Sequence, residues 1–298
     1  MLEYWYNENT SDTFRHHSLD IINLKFTNTP VGDNLSFKEE CVKTAIELHK
    51  DFPHLCIGLS AGWESQIIFQ SFLEAGIKPN DFIIEFPYKL NVFDSYFAKE
   101  SCKHAGIVPE IFNPDLKSIS ELETVPLAEK YQLYSFFDVL LAKYAEELKT
   151  DVLIGDHLDF RRDVHPNAKW TMTLNENMWA GRFNSLNDKK VVNDFFVRNT
   201  NIIRSFINNP KVQEVISNRV EGKISLNSSK KLIYGMEGFY KKSEANKTLS
   251  TLNIKKLEAT ANEKIEKTIG FYSSRNMYIE YQDLVNTLEE QEKVWKFV

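Results

Sequence analysis

The chain has 298 residues, 42% of them hydrophobic and 26% charged, with a net charge of −6. That balance excludes a disordered or fibrous chain, and no run reaches the ~18 apolar residues that a membrane-spanning helix needs. Its three cysteines, Cys41, Cys56 and Cys102, form no CxxC pair, which excludes a disulfide framework or a zinc ribbon and leads us to expect a soluble protein of the reducing cytoplasm, its cysteines serving as small buried hydrophobes.

Asp20 to Phe26 reads as a strand. Ser36 to Lys50 reads as a helix, with Ser36 and Glu39 placed for a capping box and Val42, Ala45 and Ile46 at helical spacing. The short apolar run Leu55 to Leu59 has the length and continuity of a strand buried on both faces. A helix is predicted over 66–75, stopped by Gly76 and Pro79, then a strand over 81–86 and a helix over 92–105 closed by Gly106. Pro109 places the next strand, 107–112, near a sheet edge. A long helix is predicted over 129–149 and a fourth strand over 151–154, followed at once by Gly155 and Asp156.

Strands joined by helix-length crossovers run parallel with right-handed connections, so the expected fold class is α/β with a doubly wound parallel sheet. Its ligand site belongs at the carboxyl ends of the strands, where strand order reverses, which singles out the segments from Ser60 and from Gly155. Beyond residue 160 a mostly helical C-terminal part is expected, with helices over 187–208, 254–267 and 278–296. The chain then divides into an N-terminal extension and helix (1–50), an α/β domain (51–160) and a helical region (161–298).

A strand that enters a helix through a tight loop of small residues presents main-chain N–H groups at the positive end of the helix dipole, where they attract phosphate. Ser60 and Ser65 add hydroxyls, Gly62 allows close approach, and Glu64 offers a carboxylate to a magnesium ion. Ser60 could instead simply cap the helix, Trp63 could be a packing aromatic, and Glu64 a first-turn acid favouring the dipole.

The stretch Leu59-Ser60-Ala61-Gly62-Trp63-Glu64-Ser65 resembles the S-G-G-x-D-S signature of the PP-loop ATP pyrophosphatases, nearest the synthetase domain of asparagine synthetase. Asp94, Ala98, Cys102 and Gly106-Ile107 resemble that family's second helix, and Gly155 to Asp159 falls where the family has an acidic loop. The resemblance covers roughly residues 50–160 and implies a HUP/PP-loop type sheet, with ATP and Mg²⁺ as cofactors. By the same resemblance, nucleotide contacts come from Leu59 to Ser65, Glu85, Phe86, Gly155, Asp156 and Arg161, metal contacts from Glu64, Asp156 and Asp159, and catalytic roles fall to Glu64, Asp159 and Lys247. Ala61 stands for a glycine, Glu64 for an aspartate, and Gln66 where serine or threonine is common.

Three functions are compatible with these residues. The first is an AMP-forming, ligase- or amidotransferase-like enzyme that adenylates an unidentified small-molecule or nucleobase acceptor and releases pyrophosphate. In it, Glu64→Ala is expected to abolish turnover and spare the fold. The second is a nucleotide-binding or interaction module without the reaction, motivated by Ala61 and Gln66. The third is a nucleic-acid-modifying protein: between Lys223 and Lys256 eight lysines face two glutamates, a local excess of +6 that leaves −12 for the remainder. A solvated helix face accounts for the same lysines.

Overall fold

A computed structural model describes residues 2–6, 22–27, 35–60, 62–85, 91–114, 124–131, 133, 136–148, 150–155, 159–162, 169–175, 183–184, 186–188, 190–217, 224–225, 230, 233–235, 259, 263, 276–288, 290 and 292–297. Two strands, β1 (Leu2–Tyr6) and β2 (Ile22–Thr27), precede helix α1 (Phe37–Asp51). The capping box forms as its residue types dictate. Ser36 N–H donates to Glu39 Oε2 at 2.8 Å, and Glu39 N–H donates to Ser36 Oγ at 3.3 Å.

The expected doubly wound sheet follows. Its members are β3 (Cys56–Gly58), β4 (Asn80–Ile84), β5 (Glu110–Phe112), β6 (Val152–Leu153) and β9 (Val191–Val192). They are parallel throughout and lie in the order β5-β4-β3-β6-β9. Between them run α2 (Trp63–Glu74), α3 (Val92–Ala105), α4 (Thr124–Tyr131) and α5 (Phe136–Glu147). The edge position of β5 agrees with Pro109 just before it. Helix α3 has the bounds that its pattern suggests, and Gly106 closes it at φ +66°, a left-handed turn that only a residue without Cβ enters at no cost.

Why the apolar strands carry no polar alternation is visible in the packing. Ile57, Leu59, Ile83 and Leu153 face α1, α2 and α3, whereas Cys56, Phe82, Phe112, Val152 and Ile154 face α4 and α5. Both faces are covered, so both sets must be apolar. Gly58 sits at the tightest point: a Cβ there would lie 2.9 Å from Cζ of the buried Phe82 ring.

Elsewhere the chain departs from the pattern read along the sequence. The single helix expected over 129–149 is two, α4 and α5, with Tyr131 and Leu133 both buried at the break. The helix expected over 187–208 is strand β9 followed by α6 (Phe195–Arg198) and α7 (Thr200–Ile207), with α8 (Pro210–Ser217) after it. Asn199 separates α6 from α7 by accepting the Asn201 N–H at its side chain. The C-terminal part also holds a four-stranded antiparallel sheet in the order β10-β7-β8-β11. Its strands are β7 (Asp159–Arg162), β8 (Thr171–Asn175), β10 (Ile224–Ser225) and β11 (Asn276–Glu280).

The helix expected over 278–296 is cut down to α9 (Tyr281–Leu288) between β11 and β12 (Glu292–Phe297), and β12 returns to pair with β2. Of the helix expected over 254–267, only Ala259 and Glu263 are among the described residues. One apolar cluster joins Phe26 of β2, α1, α2, Phe160 of β7, Met172 of β8 and Leu284 of α9. Among the described residues, no helix is long and apolar enough to cross a membrane.

Candidate nucleotide site at the sheet's switch point

Strands β3, β4 and β5 step away in one direction from the sheet's centre, and β6 and β9 in the other. The loops leaving β3 and β6 therefore part company at their carboxyl ends, which opens the crevice where ligands of such sheets bind. Both segments singled out from the sequence meet there. A Cβ on Gly155 would lie 3.5 Å from Glu64 Cβ and 3.6 Å from the Ser65 main-chain nitrogen, so β6 exits directly against the first turn of α2.

The loop is shorter than its signature suggests. Gly62, not Ser60, is the N-cap of α2, and Trp63, Glu64 and Ser65 already belong to the helix. The first intrahelical bond runs from Gln66 N–H to Gly62 O at 3.1 Å. Ser65 is buried and ties the turn: its hydroxyl donates to Ser60 O at 2.6 Å, and its Oγ accepts the Ser60 N–H at 3.2 Å. Ser60 is exposed, its Oγ 3.0 Å from that of Ser65 and accepting the Gly62 N–H at 3.2 Å. Of the two hydroxyls, Ser65 thus holds the loop and Ser60 is the one exposed to solvent.

Gln66 has a structural use that a serine could not fill. Its amide nitrogen donates to Ser60 O at 3.4 Å, and its Oε1 accepts from Ser101 of α3 at 3.2 Å, linking loop and neighbouring helix. Leu59, with Phe69 and Ile83, is core. Glu85 follows β4 directly, with its N–H donated to Phe112 O and its carboxylate paired with Lys99.

One partner of the loop escaped the sequence reading. Lys230 is fully buried, and its ammonium lies 3.3 Å from Glu64 Oε1 and 5.3 Å from the Phe196 ring centroid. Four positions on, the buried Tyr234 hydroxyl lies 3.0 Å from Ser71 Oγ on α2. A buried ammonium needs a compensating charge, and Glu64 supplies one. Glu64→Ala would remove a carboxylate that offsets a buried cation, so a loss of stability is expected beside any loss of turnover. The only sequence signal for Lys230 was the basic excess over 223–256, which does not say which lysine turns inward.

The remaining candidates fall elsewhere. Asp159 and Arg161 sit not on a loop but in β7, opposite Thr173 and Thr171 of β8, and Arg161 is also opposite Ser225 of β10. Ala61, Phe86, Asp156 and Lys247 lie outside the described residues. Cys41, Cys56 and Cys102 are buried, with burial pushing the thiols of Cys56 and Cys102 up to about 12, so none is poised as a nucleophile.

No family model matches the chain, and no curated protein does. Among solved structures, the NMN synthetase from Francisella tularensis is similar at 19% sequence identity and a TM-score of 0.28. That likeness covers 40% of this chain, which spans about half (54%) of the NMN synthetase chain. The functional assignment therefore rests on the chemistry of the site itself.

Proposed function

We propose that this chain binds the polyphosphate of ATP at the β3–α2 loop, as a diverged PP-loop ATP pyrophosphatase, and transfers AMP to an acceptor with release of pyrophosphate. The observation that carries the reading is the position of the β3–α2 connection: it follows the strand at which the order reverses, with Gly155 at the end of β6 close against Glu64 and Ser65. The first-turn N–H groups of α2 point out of the helix at its positive end, the exposed Ser60 hydroxyl adds a donor, and the buried Lys230 ammonium offsets the Glu64 carboxylate in that turn. Such a cradle would hold the β and γ phosphates and leave the α-phosphate open to an acceptor oxygen. Catalysis would then consist of positioning and charge neutralisation.

Magnesium fits the described donors poorly. Glu64 already neutralises Lys230, the Asp156 position lies outside the described residues, and among those described no cluster of three metal-ligating side chains occurs. The same ion pair favours a second reading, a nucleotide-binding module without turnover.

A thermal-shift series with ATP, AMP and pyrophosphate, run beside a pyrophosphate-release assay with candidate acceptors, separates the two. Stabilisation with release supports the enzyme, and stabilisation without release supports the module. If none of the three ligands moves the melting temperature, the nucleotide reading is wrong.

A further inference from the structure

We propose that the open face of the antiparallel sheet β10-β7-β8-β11 binds single-stranded nucleic acid, with a base stacked on Tyr278 and the phosphates toward the lysine-rich stretch that begins at β10. This holds whether or not the β3–α2 loop takes a nucleotide. Strand register sorts the side chains of the sheet. Phe160, Met172 and Ile279 lie opposite one another across β7, β8 and β11 and are at most 1% exposed, so they seat one face on the core. The rows on either side belong to the other face. One runs from Ser225 through Arg161 and Thr171 to Glu280, the next from Asp159 through Thr173 to Tyr278. That face is open to solvent: Tyr278 is 55% exposed, and the exposed Glu280 pairs with the exposed Lys169 at 2.7 Å.

An exposed phenol ring on a sheet offers a π face on which any unpaired base can stack. Hydroxyl and carboxylate positions beside it suit the donors and acceptors of base edges, and the acidic ones steer phosphates to the margins. Positive charge is tethered to those margins. β10 falls at the start of the 223–256 stretch, where seven lysines (eight less the buried Lys230) stand against two glutamates. The chain leaves this sheet at β10 and re-enters it at β11, the opposite edge, so both ends of the segment that carries those lysines are held at the face. The remainder of the chain sums to −12, so a polyanion finds its attraction in this stretch. A duplex keeps its bases stacked on one another and offers the ring no free face.

The experiment is fluorescence anisotropy of the full chain with a labelled single strand of about 12 nucleotides, as DNA and as RNA, beside the matching duplex and polyglutamate. The wild type is expected to bind the single strand at least about fivefold more tightly than the duplex, and to lose at least about tenfold in affinity between about 50 and 200 mM salt. Tyr278→Ala should weaken single-strand binding at least about fivefold, and Tyr278→Phe, which keeps the ring, less than about twofold. Lys241→Gln, Lys242→Gln, Lys255→Gln and Lys256→Gln together should weaken binding and flatten its salt dependence. No binding by the wild type, or Tyr278→Ala binding as well as the wild type, overturns the inference. So does duplex or polyglutamate held as tightly as the single strand, the mark of a surface that selects only negative charge. Should the lysine variant fail to fold, the ring variants and the wild-type salt series decide alone.

Discussion

Asp81 is a buried carboxyl whose titration should govern how the fold responds to pH. It is 2% exposed near the start of β4, its Oδ2 lies 3.9 Å from the Cys102 thiol, and its Oδ1 has no hydrogen-bond partner among the described residues. Burial pushes its pKa from the usual 3.8 to about 8, with the Cys102 thiol only partly opposing the shift. In the folded chain the group thus keeps its proton up to about pH 8, whereas in the unfolded chain it loses it near pH 4. Between those limits the folded state binds the extra proton, so stability is highest in acid and falls as pH rises toward 8.

The slope is about 1.4 kcal/mol per pH unit, so pH 5 to pH 7 should remove about 3 kcal/mol, a large part of the ~5–15 kcal/mol that holds a domain together. Asp81→Asn keeps the shape of the neutral acid and cannot ionise. Urea unfolding of wild type and Asp81→Asn at pH 5, 6, 7 and 8 should therefore show the variant gaining on the wild type with each step. Cys56 and Cys102, both held near 12, stay neutral throughout and do not disturb the comparison. A difference between the two proteins that stays flat with pH would refute the account of Asp81 as a neutral buried acid.

Gly58→Ala should lower stability by about 1–3 kcal/mol in chemical denaturation, because its Cβ would meet a Phe82 ring that is 1% exposed and has no room to swing. Glu64→Ala should cost about 1–3 kcal/mol by removing a carboxylate 3.3 Å from the buried Lys230 ammonium, while Glu64→Ala combined with Lys230→Met should recover part of that loss. A double variant no more stable than Glu64→Ala would mean that the pair is not coupled. Tyr234→Phe should cost about 1 kcal/mol, read as a drop in melting temperature, since Ser71 loses the phenol but keeps its bond to Ile67 O.

Local pattern and the fold agree where one physical signal dominates. The bounds of α3 follow from its apolar period and from Gly106, and the start of α1 from Ser36 and Glu39. The parallel sheet was legible because strands covered on both faces must be short continuous apolar runs. The loop and its counterpart at Gly155 were legible for the same reason, since both follow such runs directly.

Long-range pairing hid the rest. The alternation in Asn276–Glu280 and Glu292–Phe297 reads as helix until β11 finds β8 and β12 finds β2, each across more than a hundred residues. Nothing adjacent to Arg161 announces that β10 will lie beside it. Lys230 sits 166 positions from Glu64, and only the folding of the chain onto α2 decides that this lysine of a basic stretch turns inward.

By itself, then, the sequence determined where backbone donors would gather at the end of a buried strand, because that depends on neighbours within a few residues. Which side chain neutralises the carboxylate among them was decided by tertiary structure alone. Burial of a charge is set by what packs around it, and that packing comes from distant parts of the chain.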